Sequence, residues 1–132
     1  LNRLEINNVR ILLQDATEVL LHRFAERSLD NVLIYFPDPW PKKRHHKRRI
    51  LGPDFLHNLA FCLKPRGFLH IATDCNHYGQ TILEYIALEP LLTNLAPLDK
   101  DVEPLHRRTI TKYEAQGIEH GHPIVNISAR RA

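Results

Sequence analysis

The run Asn31-Val32-Leu33-Ile34-Tyr35-Phe36, cut off by prolines at 37, 39 and 41, constrains this 132-residue chain more than any other feature. An almost continuous apolar run this short suits a strand covered on both faces, the usual condition inside a parallel sheet. Proline removes a backbone donor and restricts its predecessor, so the strand must stop where the prolines begin. Parallel neighbours need a crossover, usually a helix. The flanking sequence offers several. Thr17 to Leu29 has helical spacing, with Leu20, Leu21, Phe24 and Leu29 on one face and Asp15 and Glu18 as a capping pair. A second helix opens near Pro53, carries the stripe Phe55, Leu56, Leu59, Ala60 and Leu63, and ends at Lys64-Pro65-Arg66-Gly67. A third runs from His77 to Glu89 through Tyr78, Ile82, Tyr85 and Ile86. Between them Phe68 to Thr73 reads as a strand, Asn8 to Gln14 as a short β-leaning run, and Ile124 to Ile127 as a last strand. Thr111-Lys112-Tyr113-Glu114 has the form of a capping box that opens a short helix.

Strand and helix in alternation predict an α/β fold with a mostly parallel sheet and right-handed crossovers. Strands near residues 9 to 13, 31 to 36 and 68 to 73 should then run parallel. Each is followed by an acid: Asp15, Asp38 and Asp74. Ligands of open α/β sheets bind outside the carboxyl ends of strands, so the three acids are expected at one crevice.

Charge narrows the partner. The chain carries 18 Lys and Arg against 15 Asp and Glu. Residues 42 to 49, Lys-Lys-Arg-His-His-Lys-Arg-Arg, hold six of those positives and no acid, so the remainder is net acidic. Such a local cationic run reads as a nucleic-acid contact, because phosphates are neutralised with release of counterions; the bland alternative is a solvated charge run or a targeting signal. No stretch approaches the roughly 20 apolar residues of a membrane span, and the first residues have no signal-peptide core. Two cysteines, Cys62 and Cys75, make no disulfide framework, and neither they nor the scattered histidines have zinc spacing, so no metal is expected. A reduced, cytoplasmic setting follows.

The segment Phe36-Pro37-Asp38-Pro39-Trp40-Pro41-Lys42-Lys43-Arg44-His45-His46-Lys47-Arg48-Arg49, with Ala72-Thr73-Asp74 and Thr111-Lys112-Tyr113-Glu114 plus Gly117 further on, closely resembles the signature of the bacterial-type tRNA (guanine-N7-)-methyltransferases. The resemblance runs in order along nearly the whole chain. It implies a Rossmann-like methyltransferase fold, S-adenosylmethionine (SAM) as methyl donor, and N7 of a guanine in the tRNA variable loop as acceptor. By the same resemblance Asp38 is the catalytic acid and also lies beside the donor, and Asp15 lies near its adenosine portion. Lys42, Asp74, Thr111 and Glu114 contact the substrate, and Arg44, His45, His46, Lys47, Arg48 and Arg49 contact RNA. The family also carries earlier strands and a glycine-rich loop. The five glycines here include no GxG, so the chain is expected to be one methyltransferase domain, the C-terminal portion of a longer catalytic domain.

The chemistry agrees with these residue types. Guanine N7 bears an in-plane lone pair and no proton, so no base is required. A fixed carboxylate can accept hydrogen bonds from the guanine edge or stabilise the positive charge the base acquires. Each residue also has a plainer role. A strand-end Asp often caps or turns, Trp40 can pack behind the turn, Thr111 and Glu114 can simply cap a helix, and Cys62 sits on a helix stripe as a core residue. A non-catalytic tRNA-binding module that keeps the basic loop without a complete donor pocket is the alternative to the enzyme.

Overall fold

The structure, a computed structural model, describes residues 5–95 and 124–132. Helix α1 (Ala16–Arg23) is capped by Asp15, whose Oδ1 accepts from Thr17 N at 2.8 Å. Glu18 does not mirror that cap; its carboxylate lies 3.3 Å from His22, one turn along. The helix is shorter than its spacing predicts. Phe24 returns to extended backbone, and Arg27 N and Ser28 N donate to Phe61 O and Cys62 O at 3.1 and 2.9 Å. Those bonds to the end of the next helix draw Leu29 into strand β1 (Leu29–Tyr35).

Helix α2 (Pro53–Cys62) opens on the expected proline and buries Phe55, Leu56, Leu59 and Ala60. Strand β2 (Leu63–Thr73) follows at once, so Lys64-Pro65-Arg66-Gly67 begins a strand where the sequence suggested only a helix stop. Gly67 is what allows this. A Cβ there would lie 2.7 Å from Asp30 O and 2.9 Å from Lys64 O, both backbone atoms that cannot swing aside. Gly67→Ala should therefore cost about 1–3 kcal/mol of stability through forced backbone movement. Urea unfolding checks this, and an unchanged midpoint would show the junction to be pliable.

Helix α3 (Asn76–Leu88), strand β3 (Leu92–Leu95) and strand β4 (Val125–Arg131) complete the described elements. The sheet order is β1-β2-β4-β3. Strands β1 and β2 are parallel, in register from Asn31↔Phe68 to Tyr35↔Ala72. Strand β4 is antiparallel to both β2 and β3, so β1, β2 and β3 share one direction and only β4 is reversed. The expected parallel pairing holds for the strands at 31–36 and 68–73; β3, which the sequence reading does not include, shares their direction, and β4 enters reversed, so the sheet is mixed. Along β4, Ile127, Ala129 and Arg131 are buried and their neighbours less so, the alternation of a strand packed on one face. Buried Arg131 donates from Nε to Ala60 O at 2.7 Å, a second bond to a carbonyl in the last turn of α2 that also accepts from Leu63 N.

One expected strand is not formed. Residues 8 to 14 make no ladder; Ile11 is 78% exposed and Leu13 fully so. A strand exists only where another supplies its hydrogen bonds, and among the described residues no strand pairs with the outer edge of β1. No helix among the described residues is long and apolar enough to cross a membrane.

Candidate active site

Because β1 and β2 are parallel and end together at Tyr35↔Ala72, the segments that follow leave from one sheet edge. Phe36 N donates to Ala72 O at 2.8 Å, and the chain then turns sharply. Phe36 and Trp40 both adopt left-handed backbone, with φ of 51° and 41°. For side chains this bulky such conformations cost about 1–3 kcal/mol each and persist only where the surroundings enforce them. Between them Pro37 and Pro39 fix their own φ, so Asp38 stands exposed at the tip of a strained, stiff turn.

The cationic run folds back on that turn. Residues Lys43–Arg48 form a short 3₁₀ helix. His46 Nε2 donates to Pro41 O at 3.2 Å, and Arg49 Nε donates to Pro39 O at 2.5 Å. Trp40 packs inside the same segment. Its ring meets His45 edge-on at 5.7 Å, and the Arg48 guanidinium lies 5.1 Å from its centre. From α3, His77 stacks on His46 at 4.9 Å. The Arg49 guanidinium lies 4.5 Å above the Tyr78 ring, and its Nη1 donates to His77 Nδ1 at 3.2 Å. Tyr78 is itself locked, its hydroxyl accepting from Leu51 N at 3.0 Å. Burial pushes its phenol above the ordinary value, outweighing the Leu51 amide and the Arg49 charge, which act the other way.

The structure therefore sorts the eight residues from 42 to 49 into two groups. Lys42, Lys43, Arg44, Lys47 and Arg48 are exposed, whereas His45, His46 and Arg49 are half-buried against the turn and α3. Asp74 is half-buried at the same sheet edge as Asp38, just beyond Thr73, whose Oγ1 accepts from Cys75 N at 3.1 Å as α3 begins. Asp15 caps α1, its Oδ1 accepting from Thr17 N. Thr111 and Glu114 lie outside the described residues. The sequence pattern marks His77 and Tyr78 as helix residues only. The available signal was their position, three and four residues past Asp74, in the first turn of a helix that starts at this edge.

Two grooves adjoin these elements. One of about 440 Å³ runs between α1 and β1, with apolar walls from Leu12, Val19, Val32, Leu33 and Ile34 and with Gln14 and Ala16 beside Asp15. The other, of about 230 Å³, is lined by His46, Lys47, Arg49, His77, Thr81 and Tyr85.

The family model described as "Putative methyltransferase" matches residues 1–127. The chain belongs to this methyltransferase family. The tRNA (guanine-N(7)-)-methyltransferase of Paracidovorax citrulli is 47% identical over 126 residues, 96% of this chain and 50% of the relative. The enzyme of that name from Methylobacillus flagellatus is 44% identical over 131 residues, 99% of this chain and 54% of its own length. That from Corynebacterium diphtheriae is 45% identical over 128 residues, 96% of this chain and 49% of its own. The chain spans about half the length of the curated relatives it matches. A solved SAM-dependent O-methyltransferase from Thermotoga maritima aligns with a TM-score of 0.48 at 16% identity, over 91% of this chain and 38% of that one. The family placement agrees with the resemblance carried by the Pro37-Asp38-Pro39-Trp40 turn and the basic run behind it, and three codirectional strands joined by helices give the chain a Rossmann-like arrangement.

Proposed function

We propose that this chain carries the acceptor-facing side of an enzyme that moves a methyl group from SAM to N7 of a guanine in the tRNA variable loop, in a cytoplasmic setting. One juxtaposition carries the reading. A strained turn presents Asp38 beside the Asp74 edge, and the exposed cations Lys42, Lys43, Arg44, Lys47 and Arg48 follow directly behind it. A cationic surface grips phosphates without reading sequence, while a rigid acid beside it can meet one base.

The residues present fit one part of the donor. The apolar groove between α1 and β1 suits an adenine face, with Gln14 and Ala16, the sequence neighbours of Asp15, in its wall; by the family resemblance Asp15 and Asp38 would hold the donor. When bound, SAM supplies the methyl group as an electrophile on sulfur. Asp38 then orients the guanine through its edge and offsets the positive charge that N7 gains, with no proton to remove. Asp74 and Lys42, together with Thr111 and Glu114, contact the acceptor nucleotide, and the exposed cations hold the flanking backbone.

The test is to fuse this chain to the remaining half of one of the curated relatives and supply tRNA with tritiated SAM. Borohydride and aniline then cleave the RNA at N7-methylguanine. Label and cleavage at one variable-loop guanine is the expected result. Tight tRNA binding with no label would overturn the proposal and leave the non-catalytic binding module.

A further inference from the structure

We infer that Arg49, although it closes the cationic run, is a positioning residue that holds the Asp38 turn in shape and makes no contact with tRNA phosphate. The inference rests on the reading of Asp38 as the group that meets the guanine.

The geometry separates Arg49 from its neighbours. Its guanidinium is committed on three sides: Nε to Pro39 O, Nη1 to His77 Nδ1, and its face over Tyr78. Its Nη2 is buried with no partner, closed off from solvent and hence from any phosphate that approaches through solvent. Arg44 and Lys47, by contrast, are exposed.

The bond Arg49 makes is also the one the turn needs. Pro37, Pro39 and Pro41 have no N–H, so the turn can be anchored from outside only through its carbonyls or through the few remaining amides. Pro39 is the residue directly after Asp38, and its carbonyl is the one that Arg49 takes. The other end of the strut is firm, because Tyr78 is fully buried and bonded to Leu51. Arg49 thus joins the tip of the turn to the core through α3. Two left-handed aromatic residues would otherwise let the turn relax. A planar guanidinium can donate in its plane and stack by its face at once, whereas a lysine ammonium cannot do both.

Trp40 is the only tryptophan in the chain and lies in the turn, so its fluorescence reports the turn directly. The experiment compares Arg49→Gln and Arg49→Lys with Lys47→Gln. Acrylamide quenching of Trp40, far-UV circular dichroism, and the salt dependence of tRNA binding are measured on the whole chain. Both Arg49 variants should raise Trp40 quenching with the dichroism unchanged, and their slope of log affinity against log salt should match the parent. Lys47→Gln should leave quenching unchanged and flatten that slope by roughly 0.7 to 0.9. In the fused enzyme Arg49→Lys, which keeps the charge, should lower kcat on the order of a hundredfold with KM for tRNA unchanged. A flattened slope with unchanged quenching in Arg49→Gln would make Arg49 a phosphate contact and overturn the inference. Loss of dichroism in both Arg49 variants would make it a general fold residue and overturn it equally. If the parent chain fails to bind tRNA or the parent fusion fails to methylate it, the proposed function falls, while Trp40 quenching still decides whether Arg49 holds the turn.

Discussion

Asp38→Asn should lower methyl transfer in the fused enzyme by roughly 10²- to 10³-fold, the loss expected when one preorganised electrostatic group is removed from a reacting centre. The substitution keeps the shape of the side chain and removes its charge, so it isolates the electrostatic role. Asp38 is exposed, and surface changes away from caps and networks usually stay within about 0.5 kcal/mol, so the unfolding midpoint should hardly move. Affinity for tRNA should also hold, because the cations behind the turn are untouched. Asp38→Ala should lose as much activity. Tritiated methyl incorporation decides the matter; if label survives both substitutions, Asp38 only shapes the turn and the assignment of its role is wrong.

The second large effect concerns binding. Replacing Arg44, Lys47 and Arg48 with alanine removes three exposed cations from the segment that follows the turn. If each neutralises one phosphate, the salt slope should flatten by roughly 2 to 3, which amounts to losing about 20- to 40-fold of salt sensitivity over a fourfold change in salt. Affinity should fall for all tRNAs alike, since phosphate contacts carry no sequence information. Activity should therefore fail through KM and recover in part at low salt and high tRNA. The Arg48 member also loses its contact over the Trp40 ring, so the two-residue variant Arg44→Ala with Lys47→Ala serves as a control for turn geometry. Filter binding across salt concentrations gives the slopes, and unchanged slopes would show the segment to be merely solvated.

What could be read from the residues follows their physics. Strand β1 was legible because an unbroken apolar run ended by prolines has few other uses, and α2 and α3 were legible because their apolar spacing matches a helical turn. The strand expected at residues 8 to 14 was not, since its apolar side chains say nothing about whether a neighbour exists to complete its hydrogen bonds. Direction was also hidden. Ile124 to Ile127 reads as a strand, yet nothing in it states that the strand continues to Arg131 or which way it enters between β2 and β3. At the site, Asp38 and Asp74 came to one edge because the parallel register of β1 and β2 requires it. Asp15 is ambiguous in the sequence, with its cap and its strand-end position both written there; the fold shows the cap, and the donor role stays with the proposal. The division of the cationic run was illegible. Eight consecutive basic residues look alike until a 3₁₀ turn rotates Lys47 and Arg48 outward and the chain beyond it carries Arg49 under Pro39.

The open side of β1 has a consequence for the chain in concentrated solution. Its outer backbone is a row of hydrogen-bonding groups with no strand beside it among the described residues, and Leu33 is 53% exposed on it. Asp30 guards the start of the strand, but Val32 to Tyr35 carry no charge to repel an incoming chain. Such an edge is a template for self-association, in which copies add strand to strand. A lysine at position 33 would interrupt that template. It would do so inside the groove proposed for the adenosine of the donor, so an unpaired strand edge and a binding wall share one side chain.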